Sequence, residues 1–76
     1  MKQFVGTAFC DSQEQIVETI EVLKRIHGVE VCHSGLELEA VYTPDDRASW
    51  TEETRTVAQI MDAIEGITEH SFCMIP

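Results

Sequence analysis

The chain repeats itself at an offset of 38 residues, and this constrains its fold more than any other feature of the sequence. Residues 22–29, VLKRIHGV, are matched by residues 60–67, IMDAIEGI, with apolar residues and a glycine at equivalent places. At the same offset Phe4 falls on Tyr42. Because self-similarity at a fixed spacing is typical of a repeated structural unit, we expect the two halves to have the same order of elements.

The first half predicts a strand followed by a helix. Residues 3–9 are rich in β-forming and small residues and lack helical spacing, which favours a strand. A capping box follows, formed either by Asp11 with Glu14 or by Ser12 with Gln15. Either pair satisfies free amide groups at a helix start, so a helix is expected to begin here.

The predicted first helix covers residues 12–27 and has one apolar side. Helical spacing brings four residues onto that side: Ile16, Ile20, Leu23 and Ile26. Gly28 is expected to end the helix in the left-handed conformation. A second strand is predicted over 29–32.

A hairpin is predicted to follow, with its connection at residues 33–35 and its next strand over 36–42. One face of that strand is expected to be apolar: Leu36, Leu38, Ala40 and Tyr42. Residues 43–46, Thr-Pro-Asp-Asp, have the composition of a turn. The chain is therefore expected to leave the sheet after residue 42.

A second capping box, Ser49 with Glu52, predicts a helix over 49–65. Its apolar stripe consists of Trp50, Val57, Ile60, Met61 and Ile64. Gly66 is expected to stop this helix, and a last strand is predicted over 68–75. Each half thus reads as strand, helix, glycine and strand.

Two strand-helix-strand units with right-handed crossovers place both helices on one face of a four-stranded antiparallel sheet, in the order 4-1-3-2. This is the α+β, ferredoxin-like βαββαβ sandwich. Residues 1–76 are expected to form a single domain, because a chain this short has no room for a second core.

The net charge and the number of cysteines indicate which classes of partner and which cellular location are expected. Fourteen acidic residues against five basic ones give a net charge of −9, which repels nucleic acid and anionic membrane surfaces. No apolar run approaches membrane-spanning length. Three cysteines, an odd number lying far apart, favour reduced thiols and a cytoplasmic location. We expect neither nucleic acid nor membrane to be a direct partner.

One edge of the predicted sheet gathers thiol and imidazole groups, because strands one and two end there and strands three and four begin there. The candidate metal ligands are Cys10, Cys32, His33 and His70. Copper(I) and zinc prefer such ligands. Cys10 and Cys32 are nevertheless separated by an intervening strand, about 10 Å at the usual spacing, so this site requires the loops to fold inward.

The βαββαβ order with a cysteine between the first strand and the first helix resembles heavy-metal-associated domains. Gly28-Val29 and residues 41–44, Val-Tyr-Thr-Pro, are also similar to that family's pattern. The resemblance implies a bound copper or zinc ion at the first loop. Those domains use a Cys-x-x-Cys pair, whereas residues 10–13 here are Cys-Asp-Ser-Gln and supply one thiol.

The helix-glycine-valine-strand organisation also resembles the signal-peptide-binding chaperones of the NapD type, which lack metal ligands. That resemblance implies a peptide partner. Phe4-Val-Gly6 is similar to the first strand of RNA-recognition motifs, but residues 36–39, Leu-Glu-Leu-Glu, carry carboxylates where RNA binding needs basic and aromatic side chains.

The sequence contains none of the catalytic motifs that would indicate an enzyme. Residues 6–14 contain no Lys or Arg, so an acylphosphatase-like phosphate loop is excluded. The sequence also has no Ser-His-Asp order, glycine-rich phosphate loop or zinc-protease helix. We therefore expect a protein that is not an enzyme and needs no cofactor, unless the copper or zinc site exists.

The sheet face that the helices leave uncovered is the predicted partner-binding surface. Strand alternation assigns to it Glu30, Glu37, Glu39 and Val41, together with Cys32, Glu69, Ser71 and Cys73. The leading hypothesis is a non-enzymatic binding or adaptor module that recognises a protein or peptide, with a basic partner as one option, through this face or a sheet edge. A homodimer is one use of the edges. The alternatives are a soft-metal or thiol-handling protein using Cys10, and an amino-acid-sensing regulatory domain that dimerises by its edges.

Overall fold

The six predicted elements form in the predicted order. A computed structural model describes residues 2–67 and 69–76, so Thr68, the expected first residue of the last strand, lies outside the described residues. The bounds are β1 Gln3–Phe9, α1 Gln13–Lys24, β2 Val29–Ser34, β3 Glu37–Tyr42, α2 Trp50–Ile64 and β4 Glu69–Ile75.

The four strands form one antiparallel sheet in the order β2-β3-β1-β4. This confirms the predicted ferredoxin-like α+β fold and its strand order. Phe4 of β1 lies directly opposite Tyr42 of β3, so these two residues, 38 apart in sequence, are cross-strand partners at one end of the two central strands. The repeat therefore corresponds to two units that meet along β1 and β3.

Both helices pack on the same face of the sheet and against each other, α1 on β2 and β3 and α2 on β1. One apolar core lies between the layers: Ala8, Cys10, Ile16, Leu23, Leu38, Ala40, Tyr42, Ile60, Ile64 and Ile67. Each large aliphatic side chain buried there contributes about 1.5–3 kcal/mol. Phe4 extends this core, since its ring stacks on those of Tyr42 and Phe72 at centroid distances of 5.9 and 6.1 Å.

The capping boxes fix where the helices begin. The Ser12 hydroxyl accepts from the Gln15 amide at 3.1 Å, and the Gln15 side chain accepts from the Asp11 amide at 2.6 Å. The structure therefore selects the pair of Ser12 with Gln15 over that of Asp11 with Glu14. The Ser49 hydroxyl accepts from the Glu52 amide at 3.2 Å, as predicted.

The first helix is shorter than predicted, because it ends at Lys24 and not at residue 27. The chain then makes a β-turn in which the Val29 amide donates to the Ile26 carbonyl at 3.3 Å. Gly28 is the third residue of this turn and has a φ of 85°, the positive value that a type II turn requires there. Its left-handed conformation is confirmed, but it serves the turn into β2 and not the helix end.

The equivalent Gly66 does not adopt the left-handed conformation. After α2 the Glu65 amide donates to the Met61 carbonyl at 2.8 Å and the Ile67 amide to the Ile64 carbonyl at 3.0 Å. These bonds close the helix with ordinary right-handed turns. The two glycines of the repeat therefore follow their helices in different backbone conformations.

The hairpin connection is also displaced from the prediction. β2 continues to Ser34, which pairs with Glu37, so the loop is Gly35-Leu36 and not residues 33–35. Gly35 has a φ of 60°. A two-residue hairpin loop favours such a glycine because its twist matches that of the flanking strands.

Trp50 does not belong to the buried stripe of α2, because 79% of its surface is exposed. It is the first residue of the helix. Glu53, one turn later, already forms an ion pair with Lys2, which precedes β1. Trp50 is therefore a solvent-exposed residue at the start of the helix and not part of the core.

Replacing the two glycines separately tests their different roles. Gly28→Ala forces an L residue to a φ of 85°, with its Cβ 3.2 Å from the Tyr42 ring, and we expect a loss of about 1–2 kcal/mol in the free energy of unfolding. Gly66→Ala is the matched control, since its Cβ meets nothing within 4 Å, and it should be neutral or stabilising by up to about 1 kcal/mol. Urea unfolding measures both; equal losses would contradict this assignment.

Candidate functional site

The sheet face opposite the helices presents alternate residues of every strand, and the register arranges them in rows. One row consists of Glu30, Val41, Val5 and Cys73. The next consists of Cys32, Glu39, Thr7 and Ser71. The third consists of Ser34, Glu37, Phe9 and Glu69. We call this surface the open face.

The open face is negatively charged and contains no cation. Its carboxylates are Glu30, Glu37, Glu39 and Glu69, all of them exposed. No Lys or Arg occurs in any of the four strands. Among the described residues the one ion pair joins Lys2 to Glu53 at 2.7 Å, away from this face. The four carboxylates are therefore free to interact with cations of another molecule.

An apolar component accompanies these charges. Val5 and Val41 lie directly opposite each other and are half-buried. Phe9, at the end of β1 between Glu37 and Glu69, and Ile75, at the other end of the face on β4, each expose 48% of their surface. Because these side chains lie among the carboxylates, the open face suits a chain segment that is both basic and apolar.

The register keeps the two thiol ligands of the predicted metal site apart. Cys10 follows Ala8 on the helix side of β1 and is 1% exposed, while its amide donates to the Leu36 carbonyl at 2.8 Å. Cys32 lies on the open face, in the row of Thr7. The two thiols therefore lie on opposite sides of the sheet.

The two histidines are also far apart. His33, Leu38, Ala8 and His70 form a single row across all four strands, so the histidines are about 14 Å apart at the usual strand spacing. His70 Nδ1 lies 2.7 Å from the Ile67 carbonyl oxygen. Within residues 2–67 and 69–76, no three His, Cys, Asp or Glu side chains are placed to hold one metal ion. The four predicted ligands are therefore too far apart to form one metal site, although they belong to the same edge of the sheet.

Burial also changes the chemistry of the Cys10 thiol. Desolvation raises its pKa above the usual value, and the negative charge of the adjacent Asp11 adds to the rise. Because the thiolate is the form that binds metals and attacks electrophiles, a thiol held protonated is a poor ligand and a poor nucleophile. Cys10 therefore acts as a small apolar core residue in this structure.

Sequence reasoning missed a groove at the opposite end of the sheet, of about 890 Å³. The loop after β3 and the first turns of α2 form most of its wall, with Arg47 and Arg55 beside Asp45, Asp46 and Glu52. The turn composition of residues 43–46 gave no sign of a concavity. Since both signs of charge line it, the groove does not select one class of ligand.

Comparison with models of known protein families and with curated proteins finds no match to this chain. The resemblances to heavy-metal-associated domains and to NapD-type chaperones therefore stay predictions. Neither helix in the described part of the chain has the length and apolar composition needed to cross a membrane.

Thiol chemistry tests the placement of the cysteines. Cys32 and Cys73 are exposed and Cys10 is buried, so a maleimide reagent at neutral pH should modify the first two rapidly. Cys10 should react at least about tenfold more slowly, because its thiol is both shielded and protonated. Peptide mass mapping over time gives the order, and the three rates should converge in denaturant. Early labelling of Cys10 in the folded protein would contradict its burial.

Proposed function

We propose that this protein is a non-enzymatic binding or adaptor module whose open face recognises a basic, partly apolar segment of a protein or peptide. The observation that carries the proposal is the set of four exposed carboxylates on a sheet without a single Lys or Arg. The lack of a catalytic motif in the sequence supports the non-enzymatic part. A reducing, cytoplasmic location is part of the proposal, supported by three free thiols.

Electrostatics supports a basic partner over a neutral one. The net charge of −9 attracts cations from a distance, and the carboxylates of the open face then provide local contacts. Charged groups of this kind contribute mainly to the association rate and to the choice of partner. Exposed ion pairs are individually weak, so the apolar side chains of the face are needed to retain the bound segment.

The spacing of the carboxylates supports an extended segment. Glu37 and Glu39 lie two residues apart on β3 and point to the same side, which is about 7 Å along a strand. Cations at every second position of an extended peptide have the same spacing. Apolar and basic residues also occur together in secretory signal peptides, the ligand class implied by the resemblance to NapD-type chaperones.

Reversing the charge at two carboxylates tests whether the open face binds the basic segment. In Glu37→Lys/Glu39→Lys we expect about a tenfold or greater rise in the dissociation constant for the synthetic peptide Ser-Lys-Ser-Lys-Ser-Val-Ser-Val, because attraction becomes repulsion. When extended, this peptide presents its Lys and Val side chains on the same side. Glu18→Lys/Glu21→Lys is the matched control, since it changes the net charge equally at exposed positions of α1. Fluorescence anisotropy at two salt concentrations measures the binding.

The control variant should keep most of the wild-type affinity, and added salt should weaken wild-type binding more than that of the open-face variant. Equal losses in the two variants would mean that only net charge matters, which would refute a localised site. Binding that is the same at all salt concentrations would refute the electrostatic basis. The same peptide with Glu in place of each Lys should not bind.

A further inference from the structure

The strand β4 forms an edge of the sheet with few of the features that protect edges from pairing. It is hydrogen-bonded to β1 on one side, in continuous register from Gln3 opposite Ile75 to Phe9 opposite Glu69. On its other side, no strand of the described part of the chain is paired with it. β4 contains no Lys and no Pro. Residues 70–75 carry no carboxylate or permanent cation. Such an edge is a template for another strand.

The other edge of the sheet is better protected. β2 carries Glu30 inside the strand, whereas the one carboxylate of β4, Glu69, is the first residue of its strand. Charged side chains within an edge strand are a common protection against pairing. The helix α1 packs over β2 as well as β3. β4, in contrast, exposes six of its seven residues, and only Phe72 is half-buried. Any strand that adds to this sheet is therefore favoured at β4.

The charge pattern of the chain indicates which strand would add to the sheet at β4. Two copies of a chain with a net charge of −9 repel each other, so a contact between them is least opposed along a segment without carboxylates. The open face is excluded from such a contact by its carboxylates, whereas residues 70–75 are compatible with it. Two identical antiparallel strands are also self-complementary about a two-fold axis, the commonest symmetry of homodimers.

The exposed apolar side chains of β4 also favour pairing with a second copy of the chain. Met74 and Ile75 are 56% and 48% exposed, and they lie in the uncharged half of β4. A chain of 76 residues has a thin core, so covering these side chains stabilises it appreciably. We propose that a second copy of this chain pairs antiparallel with β4, giving a dimer with one continuous eight-stranded sheet. This proposal does not depend on the proposed function.

The dimer brings one pair of thiols together and keeps another apart. If the two-fold axis passes beside Cys73, the two Cys73 residues are directly opposite; if it passes beside Phe72, their Cα atoms are about 8 Å apart from the strand spacing and rise. Both distances suit a short bis-maleimide crosslinker. The two Cys32 residues lie on the outermost strands, about 33 Å apart.

Variants that each keep only one exposed cysteine test this arrangement by crosslinking. Cys32→Ser retains Cys73 on β4, and Cys73→Ser retains Cys32 on β2, while Cys10 is buried in both. We expect a covalent dimer from Cys32→Ser treated with the crosslinker and none from Cys73→Ser under the same conditions. Sedimentation equilibrium of the untreated wild-type protein should give a mass that rises from monomer to dimer with concentration.

A second pair of variants tests the edge without crosslinking. In Cys73→Asp two carboxylates meet near the two-fold axis, so the dimer dissociation constant should rise about tenfold or more. Cys32→Asp makes the same change on the same face of the opposite edge and should leave dimerisation unchanged. Circular dichroism checks that both variants fold.

Three results would overturn the proposal: a wild-type chain that is monomeric at all concentrations, crosslinking that proceeds equally through Cys32, or a dimer that is equally weakened by both Asp variants. An extended peptide that adds to β4 of a monomeric chain would assign the edge to another occupant and would also refute the dimer. Peptide binding by the open face is measured separately, so its loss does not affect this result.

Discussion

The structure depends on the packing of α2 onto the middle of β1. At Gly6 a Cβ atom would lie 3.2 Å from Phe72, 3.3 Å from Ile64 and 3.5 Å from Ile60, so the missing side chain lets the helix and the neighbouring strand approach closely. β1 is also the strand that pairs with both β3 and β4. A larger residue at position 6 would separate the two layers at the point where the sheet and both repeat units meet.

Packing on one face determines the character of the other. Two helices of 12 and 15 residues cover a single side of a four-stranded sheet, and strand alternation then directs every second side chain outward. A face exposed to water needs polar groups to remain hydrated, and here those groups are carboxylates. The acidic surface proposed to bind a partner is thus a direct consequence of the fold and of an acidic composition.

The topology could be predicted because it follows from patterns that extend over many residues, such as the repeat that relates Phe4 to Tyr42. The misses concern single positions that tertiary contacts decide. Gly66 looked equivalent to Gly28, but only Gly28 lies in a turn that needs a positive φ. Trp50 matched the apolar spacing of its helix, yet it lies exposed at the first position of that helix. For the metal candidates, the adjacent residues Cys32 and His33 point to opposite faces of a strand, which already weakened a shared site.

The open face and the β4 edge divide the surface by charge in a way that favours two different partners. The carboxylates repel another copy of the chain and attract cations, whereas residues 70–75 of β4, which carry no carboxylate, are the proposed contact with a second copy. In a dimer joined through β4, the two open faces would lie side by side on one continuous sheet. A partner with two basic segments would then engage both faces, and its second contact would form at the high effective concentration of a tethered ligand. Individually weak surface ion pairs would thereby give a stable complex without a deep binding pocket.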